Sequence, residues 1–245
     1  MKRAVLIITA LAGAAFYLRE AAAFELVGSY ATPGSQPRGY AFAGLYAGWV
    51  VDDGGAARVY QIYWTTGSVS ASFPAPGGRG AWGLCSASGP DLYLSNNRTS
   101  YIYRVTTAGS VVSSFRCPLA GPADMTLVYP GLYLYVAVPT RNVIAVVNPG
   151  TGSLVSSFAG PGSRATACAG YSGSYVGDDA THTVYHGGKP LVTGIASPLG
   201  LEEVSTWLDA TYLYVVDDAT DRMYMYESGM PVEPASLGRV KALFR

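Results

Sequence analysis

Apolar residues in this chain come in short runs closed by Gly, Pro, Asn or Asp, and the runs recur in a fixed order. Between Val69 and Phe115 that order is VSASF, the loop PAPGGRG, WGLCSA, DLYLS, the polar turn NNRTS, YIYRV, AGS and VVSSF. Runs of this length, rich in β-branched and aromatic residues and bounded by turn formers, predict strands rather than helices. Three anchors follow the pattern from copy to copy. A Ser-aromatic step carries Tyr30, Phe73, Phe115 and Phe158, which lie 43, 42 and 43 residues apart. A second run ends at Asp53, Asn97, Pro139, Asp179 and Asp218, mostly in a polar pair. A third begins at Val59, Ile102, Ile144, Val184 and Met223. Ahead of the second run each copy has a small-residue segment: AFAGL, WGLCSA, DMTLVY, ATACAGY and GLEEVS.

A repeat of about forty residues with several short strands is the pattern of a β-propeller blade. Counting the small-residue segments predicts an all-β propeller of five four-stranded blades, with six blades as the rival count. The small-residue strand belongs innermost, where blades crowd the axis and bulky side chains do not fit. Both parities of Leu213-Tyr214-Val215-Val216 are apolar, as expected of a strand covered by a blade on each side. Such a ring closes without a seam when one terminus completes the last blade. Val27, Ser29 and Tyr30 carry the outer-strand motif seen at Ser72-Phe73 and are the expected ring-closing strand. The other end is the weaker candidate, because Pro231 and Pro234 interrupt it and proline cannot donate to a ladder. One propeller domain over residues 24–230 is therefore expected, with 231–245 as a tail. Val240, Ala242 and Phe244 share one face of a strand-like run in that tail. The run is expected either to pair with its own outer blade edge or to dock on a neighbouring molecule and propagate a filament.

The last copy, Pro198-Leu199-Gly200-Leu201 followed by YLYVVDDATDRMYMY, resembles the NHL family of propeller repeats. The third, LYLYVAVPTRNVIAVVNPGTGSLVSSF, is similar to the YVTN family. The likeness covers roughly residues 27–227 as architecture. The middle copy departs from it by lacking the turn Asp, the fourth is shortened around HGGKPLVTG, and the first has Gly-Gly in its turn. Such families include binding modules, recognisers of carbohydrate or peptide and a few enzymes, so the resemblance implies a fold rather than an activity.

Met1-Lys2-Arg3 is a positive region, Ala4 to Leu18 an apolar one, and Ala21-Ala22-Ala23 a small-residue cleavage pattern. Residues 1–23 are thus expected to be a secretory signal peptide, with Phe24 the first mature residue. An uncleaved anchor is the alternative, because Arg19-Glu20 sits beside the cut. The expected location is secreted, extracellular or at the cell surface, with no membrane span after cleavage. Charged residues are 13% of the chain, against about a quarter in ordinary soluble domains. Removal of 1–23 leaves a net charge of −2, and a surface so weakly charged predicts no nucleic-acid partner. Cys85, Cys117 and Cys168 are odd in number, so at least one stays unpaired within a monomer and any pairing is left open. Cys85 and Cys168 fall in small-residue segments and read as small buried hydrophobes.

The conspicuous polar features are the pairs Asp52-Asp53, Asp178-Asp179 and Asp217-Asp218. They sit where the second strand turns into the third, and Asn96-Asn97 fills that place in another copy, which reads as turn capping rather than calcium binding. His182 and His186, on one strand, would stand about 13 Å apart and could not share a metal ion. Glu202, Glu203 and Asp124 are the acids of the inner segments. They are too few for a metal centre of the channel type, although one or two could line a pocket. Asn97-Arg98-Thr99 is a glycosylation sequon on an exposed turn. No catalytic residue, cofactor or metal site is assigned. The expected function is a secreted, non-enzymatic structural or assembly subunit that self-associates. A glycan- or protein-binding recognition module is the alternative, and a propeller hydrolase or lactonase the third reading.

Overall fold

A computed structural model describes residues 24–44, 47–63, 66–87, 89–128, 132–170, 174–205 and 211–228. The signal-peptide stretch 1–23 and the tail strand of Val240, Ala242 and Phe244 lie outside the described residues. The chain forms five four-stranded antiparallel sheets, the five blades of a propeller. Blade 1 is β2 (Pro37–Phe42), β3 (Ala47–Asp52), β4 (Arg58–Tyr63) and β5 (Val69–Pro74). Blade 2 is β6 (Ala81–Ser86), β7 (Leu92–Asn96), β8 (Tyr101–Val105) and β9 (Val111–Arg116). Blade 3 is β10 (Met125–Val128), β11 (Tyr133–Val138), β12 (Val143–Val147) and β13 (Leu154–Ala159). Blade 4 is β14 (Ala165–Ala169), β15 (Tyr175–Asp178), β16 (Thr183–His186) and β17 (Lys189–Thr193). Blade 5 comprises β18 (Pro198–Ser205), β19 (Thr211–Asp217) and β20 (Arg222–Ser228), completed by β1 (Phe24–Ala31).

β1 pairs antiparallel with β20, placing Ser29 opposite Tyr224 and Tyr30 opposite Met223, with a bulge between Leu26 and Gly28 around Val27. Arg222 fastens this seam: its guanidinium donates to Ser29 Oγ at 2.8 Å and to Ser29 O at 3.1 Å. The first and last segments are thereby in one sheet, so the ring cannot open without losing a strand.

Apolar side chains from facing blades fill the gaps between sheets. Val51, Val59, Leu84 and Leu94 bury the gap between blades 1 and 2, while Leu201, Leu213 and Val215 pack with Ala167 and Val184 between blades 5 and 4. Each strand of the middle rows is covered on both faces, which is why Leu213-Tyr214-Val215-Val216 is buried throughout. Outer strands are exposed and show it in composition, as in VVSS of β9 and LVSS of β13.

The inner strands crowd one another near the end at which they begin. Gly39, Gly83, Asp124, Ala167 and Gly200 share one level there by register. A Cβ on Gly39 would stand 2.6 Å from Trp82 O, on Gly200 2.5 Å from Arg38 O, and on Gly83 2.5 Å from Asp124 Cα. Glycine is required here by the neighbour's backbone, not by its own dihedrals. Replacing Gly83 with Ala is expected to destabilise the protein by about 1–3 kcal/mol, read from the midpoint of urea unfolding.

Candidate functional site: two carboxyls on the propeller axis

The first acid of each turn pair is a staple. Asp178 Oδ1 accepts from the N–H groups of Ala180 and Thr181 in its own turn, at 3.0 and 2.9 Å. Its Oδ2 accepts from Ser163 and Arg164 in the loop leading into the inner strand, at 2.5 and 2.6 Å. Asp52 and Asp217 join the same two segments in blades 1 and 5. Asn96 does so with its oxygen toward the turn and its amide toward Gly78 O and Arg79 O. Blade 3 has Val138 at that position, and Asn142 instead ties its turn to the segment entering blade 4, accepting from Ala165 N–H and donating to Gly162 O. Two of the second acids reach sideways, Asp53 accepting from Gly80 of the next blade and Asp218 pairing with Arg38 of blade 1, while Asp179 pairs with Arg164 of its own blade. Burial pushes the Asp178 carboxyl up, but the N–H donors outweigh it and hold it below the usual carboxylate value. Its contribution to stability is therefore present above the ordinary Asp range and lost as pH falls through it. Asp178→Asn sets an NH2 against at least one pair of N–H donors and is expected to cost about 1–3 kcal/mol, with a weaker acid limb in the stability–pH curve.

The other sequence candidates scatter. Asn97 is half-buried in the turn after β7, its N–H bonded to Gly80 O. His182 lies in a left-handed turn conformation ahead of β16, φ 54°, with Nδ1 2.7 Å from Ala196 O. It is not on the strand with His186, whose ring instead stacks on Tyr175 at 4.4 Å. All three cysteines are buried and unpaired. Cys168 Sγ donates to Tyr135 O at 3.2 Å, tying blade 4 to blade 3. Among the described residues no group of three His, Cys, Asp or Glu is arranged to hold a metal ion.

Two acids break the symmetry of the repeat, and both are on the axis. Asp124 stands at the level where three other blades have glycine and one alanine. Its side chain is fully buried, and Oδ2 accepts from Leu201 N at 2.8 Å. The N–H groups of Leu84 and Met125 also lie near enough to draw its pKa down, while Oδ1 has no hydrogen-bond partner among the described residues. Burial nevertheless keeps its pKa well above the ordinary value. Two levels further along, Glu202 stands where the other blades have Ala41, Cys85, Thr126 and Ala169. Small residues at that level leave the one long acid space beside the axis. Glu202 is half-buried, neither sealed as Asp124 is nor exposed.

Burial raises Glu202 to about 8, opposed by the Phe42 N–H that bonds to it and reinforced by the neighbouring Glu203 charge. Glu202 is therefore mainly protonated at neutral pH. The sign of its linkage is opposite to that of Asp178: its folded pKa is raised, so stability falls as pH rises from the unfolded Glu range to about 8. Glu202→Gln, which keeps the shape of the neutral acid, is expected to flatten the fall in melting temperature across that window.

No protein-family model matches this chain, and a search of curated proteins finds no match. Solved structures do match. A glutaminyl cyclase of Myxococcus xanthus superposes with a TM-score of 0.63 at 12% identity, covering 83% of this chain and 95% of that one. A catalytically inactive virginiamycin B lyase from Staphylococcus aureus, solved with quinupristin, gives 0.51 at 16% identity over 81% of this chain and 68% of that one. A streptogramin B lyase gives 0.50 at 12% identity over 86% and 89%. The shared property is the propeller. These matches overturn the expectation of a secreted, non-enzymatic structural or assembly subunit, because the propellers this chain resembles are enzymes; at such identities they carry the fold and no activity. Sequence reasoning named Glu202 and Asp124 but set them aside as too few for a metal site. Comparing the five copies level by level would have singled out both, since each replaces a small residue.

Proposed function

We propose that this chain is a propeller enzyme that performs acid–base chemistry, a cyclisation or an elimination, on a small substrate bound in the axial channel beside Glu202. The observation that carries the reading is the place of Glu202, a half-buried carboxyl at a level where the repeat otherwise puts small side chains, with burial raising its pKa to about 8. A carboxylic acid that keeps its proton at neutral pH can give it to a leaving group and recover it from water. Glu203, one residue on, adds a second half-buried acid at that end of the axis. Glu25, Asp91 and Glu227 lie toward the same face, with Arg104 neutralised by Asp91 at 2.8 Å. A substrate approaching there is favoured if it carries an amine or another cation. Cyclase and lyase chemistry of the kind named for the fold neighbours fits a proton donor of this sort. Kinship of the repeats with the NHL and YVTN families belongs to the same proposal, carried for the first by residues 198–201 and 212–226 and for the second by 132–158.

The test is turnover by the purified protein of peptides with N-terminal glutamine, followed by ammonia release, and of quinupristin, followed by mass spectrometry. Activity on either is expected to fall as pH rises through about 8, because the acid form is the working form. Glu202→Gln is expected to lower kcat by about a hundredfold or more, with folding retained. Unchanged turnover in that variant would leave Glu202 as a strand fastener and nothing else.

A further inference from the structure

The face opposite the Glu202 end, where the second strands turn into the third, carries a separate feature. Eight of the ten basic residues among those described lie toward it, Arg104 and Lys189 being the exceptions. Its acids are confined to blades 1, 4 and 5: Asp52 and Asp53, Asp178 and Asp179, and Asp217, Asp218 and Asp221. In blades 2 and 3 the corresponding positions are Asn96, Asn97, Pro139 and Asn142, and among the described residues these two blades expose no acid of their own on that face. Arg79, Arg98, Arg116 and Arg141 are all exposed there. None of the four guanidiniums has an ion-pair or hydrogen-bond partner among the described residues, whereas Arg38, Arg104 and Arg164 all do.

The four are neighbours through their loops. The Arg98 turn packs on the Arg79 loop, with Arg98 Cβ in the space beside Gly80 and Asn97 N bonded to Gly80 O. Cys117 N, next to Arg116, bonds to Ser100 O of the same turn. Thr140 Oγ1, next to Arg141, reaches Ala120 O of the loop that follows Arg116. The arc ends at both sides in carboxylates, Asp53 beside Gly80 and Asp179 beside Arg164.

We propose that this arc binds a compact, multiply charged oxyanion of the oligophosphate class. Guanidinium groups match the oxygens of phosphate in pairs, and four unneutralised ones favour a ligand with several charges in a short span. A long polyanion, whether nucleic acid or acidic polysaccharide, would run onto the flanking carboxylates. The site is independent of Glu202 and stands or falls without it.

Isothermal titration of the full chain at low salt tests this with inorganic tripolyphosphate as the probe. Saturable one-to-one binding is expected, with orthophosphate at least about tenfold weaker. Arg98→Gln with Arg141→Gln, and separately Arg79→Gln with Arg116→Gln, should each weaken it by about tenfold or more. Arg58→Gln on blade 1, bonded only to Ser72 Oγ, should leave it unchanged. Because all four side chains are exposed, the double variants are expected to melt like wild type. ATP separates the sources of the phosphate chain: affinity equal to that of tripolyphosphate shows that the chain alone is recognised. Binding of ATP without binding of tripolyphosphate overturns the proposal. So does tripolyphosphate binding that survives both double variants, or a long heparin chain that binds more tightly than tripolyphosphate.

Discussion

Five inner strands converging on one axis create two problems at once. Their backbones come so close that a Cβ does not fit at Gly39, Gly83 or Gly200. Their inner edges also present N–H groups with no fifth strand to receive them, and an unpaired buried donor is costly. Asp124 answers the second problem at the level where the first is most severe. One carboxyl at the waist accepts from Leu201 of blade 5 and lies near the N–H groups of Leu84 and Met125, and the other four blades have glycine or alanine at its level. Polar side chains extend the same solution around the ring. Ser95 Oγ donates to Ala123 O at 2.6 Å, and Thr166 Oγ1 to Pro198 O at 2.8 Å, each crossing to the next blade.

The chemistry of the axis is a consequence of this packing. A carboxyl among closely set strands loses its water, and the charged form suffers most. Asp124 and Glu202 are both pushed upward for that reason, though they differ in access. Asp124 is sealed and bonded to Leu201 of blade 5, so it acts as a fastener. Glu202 has one backbone donor, at Phe42, and is only half-buried. The turn acids show the contrary outcome: Asp178, surrounded by four N–H groups, is held down although it is also buried. Burial alone does not decide the direction; the donors within reach do.

Most of the fold is written locally. The repeat length, the strand order within a copy, the small residues of the innermost strand and the outer-strand motif shared by Ser29-Tyr30 and Ser72-Phe73 are each properties of short segments. A propeller blade is such a segment folded on itself, so spacing and turn residues suffice to count five of them. The role of Asp52, Asp178, Asp217 and Asn96 as caps was legible for the same reason, because a turn bonds to residues near it in the chain.

What the sequence could not decide is whatever depends on two blades meeting. That Asp124 receives the N–H of Leu201, 77 residues away, follows only from closure of the ring. Glu202 reads as one acid in a strand until the register sets it level with Ala41, Cys85, Thr126 and Ala169 and half-buries it. Its raised proton affinity, on which the proposed acid–base role rests, comes from desolvation, which no local pattern contains. The unneutralised arginines of blades 2 and 3 are likewise spread over sixty residues of a chain with little charge, and only the tertiary structure gathers them on one face. Local sequence determined the blades; the geometry of the axis and of the two faces was decided by packing them in a ring.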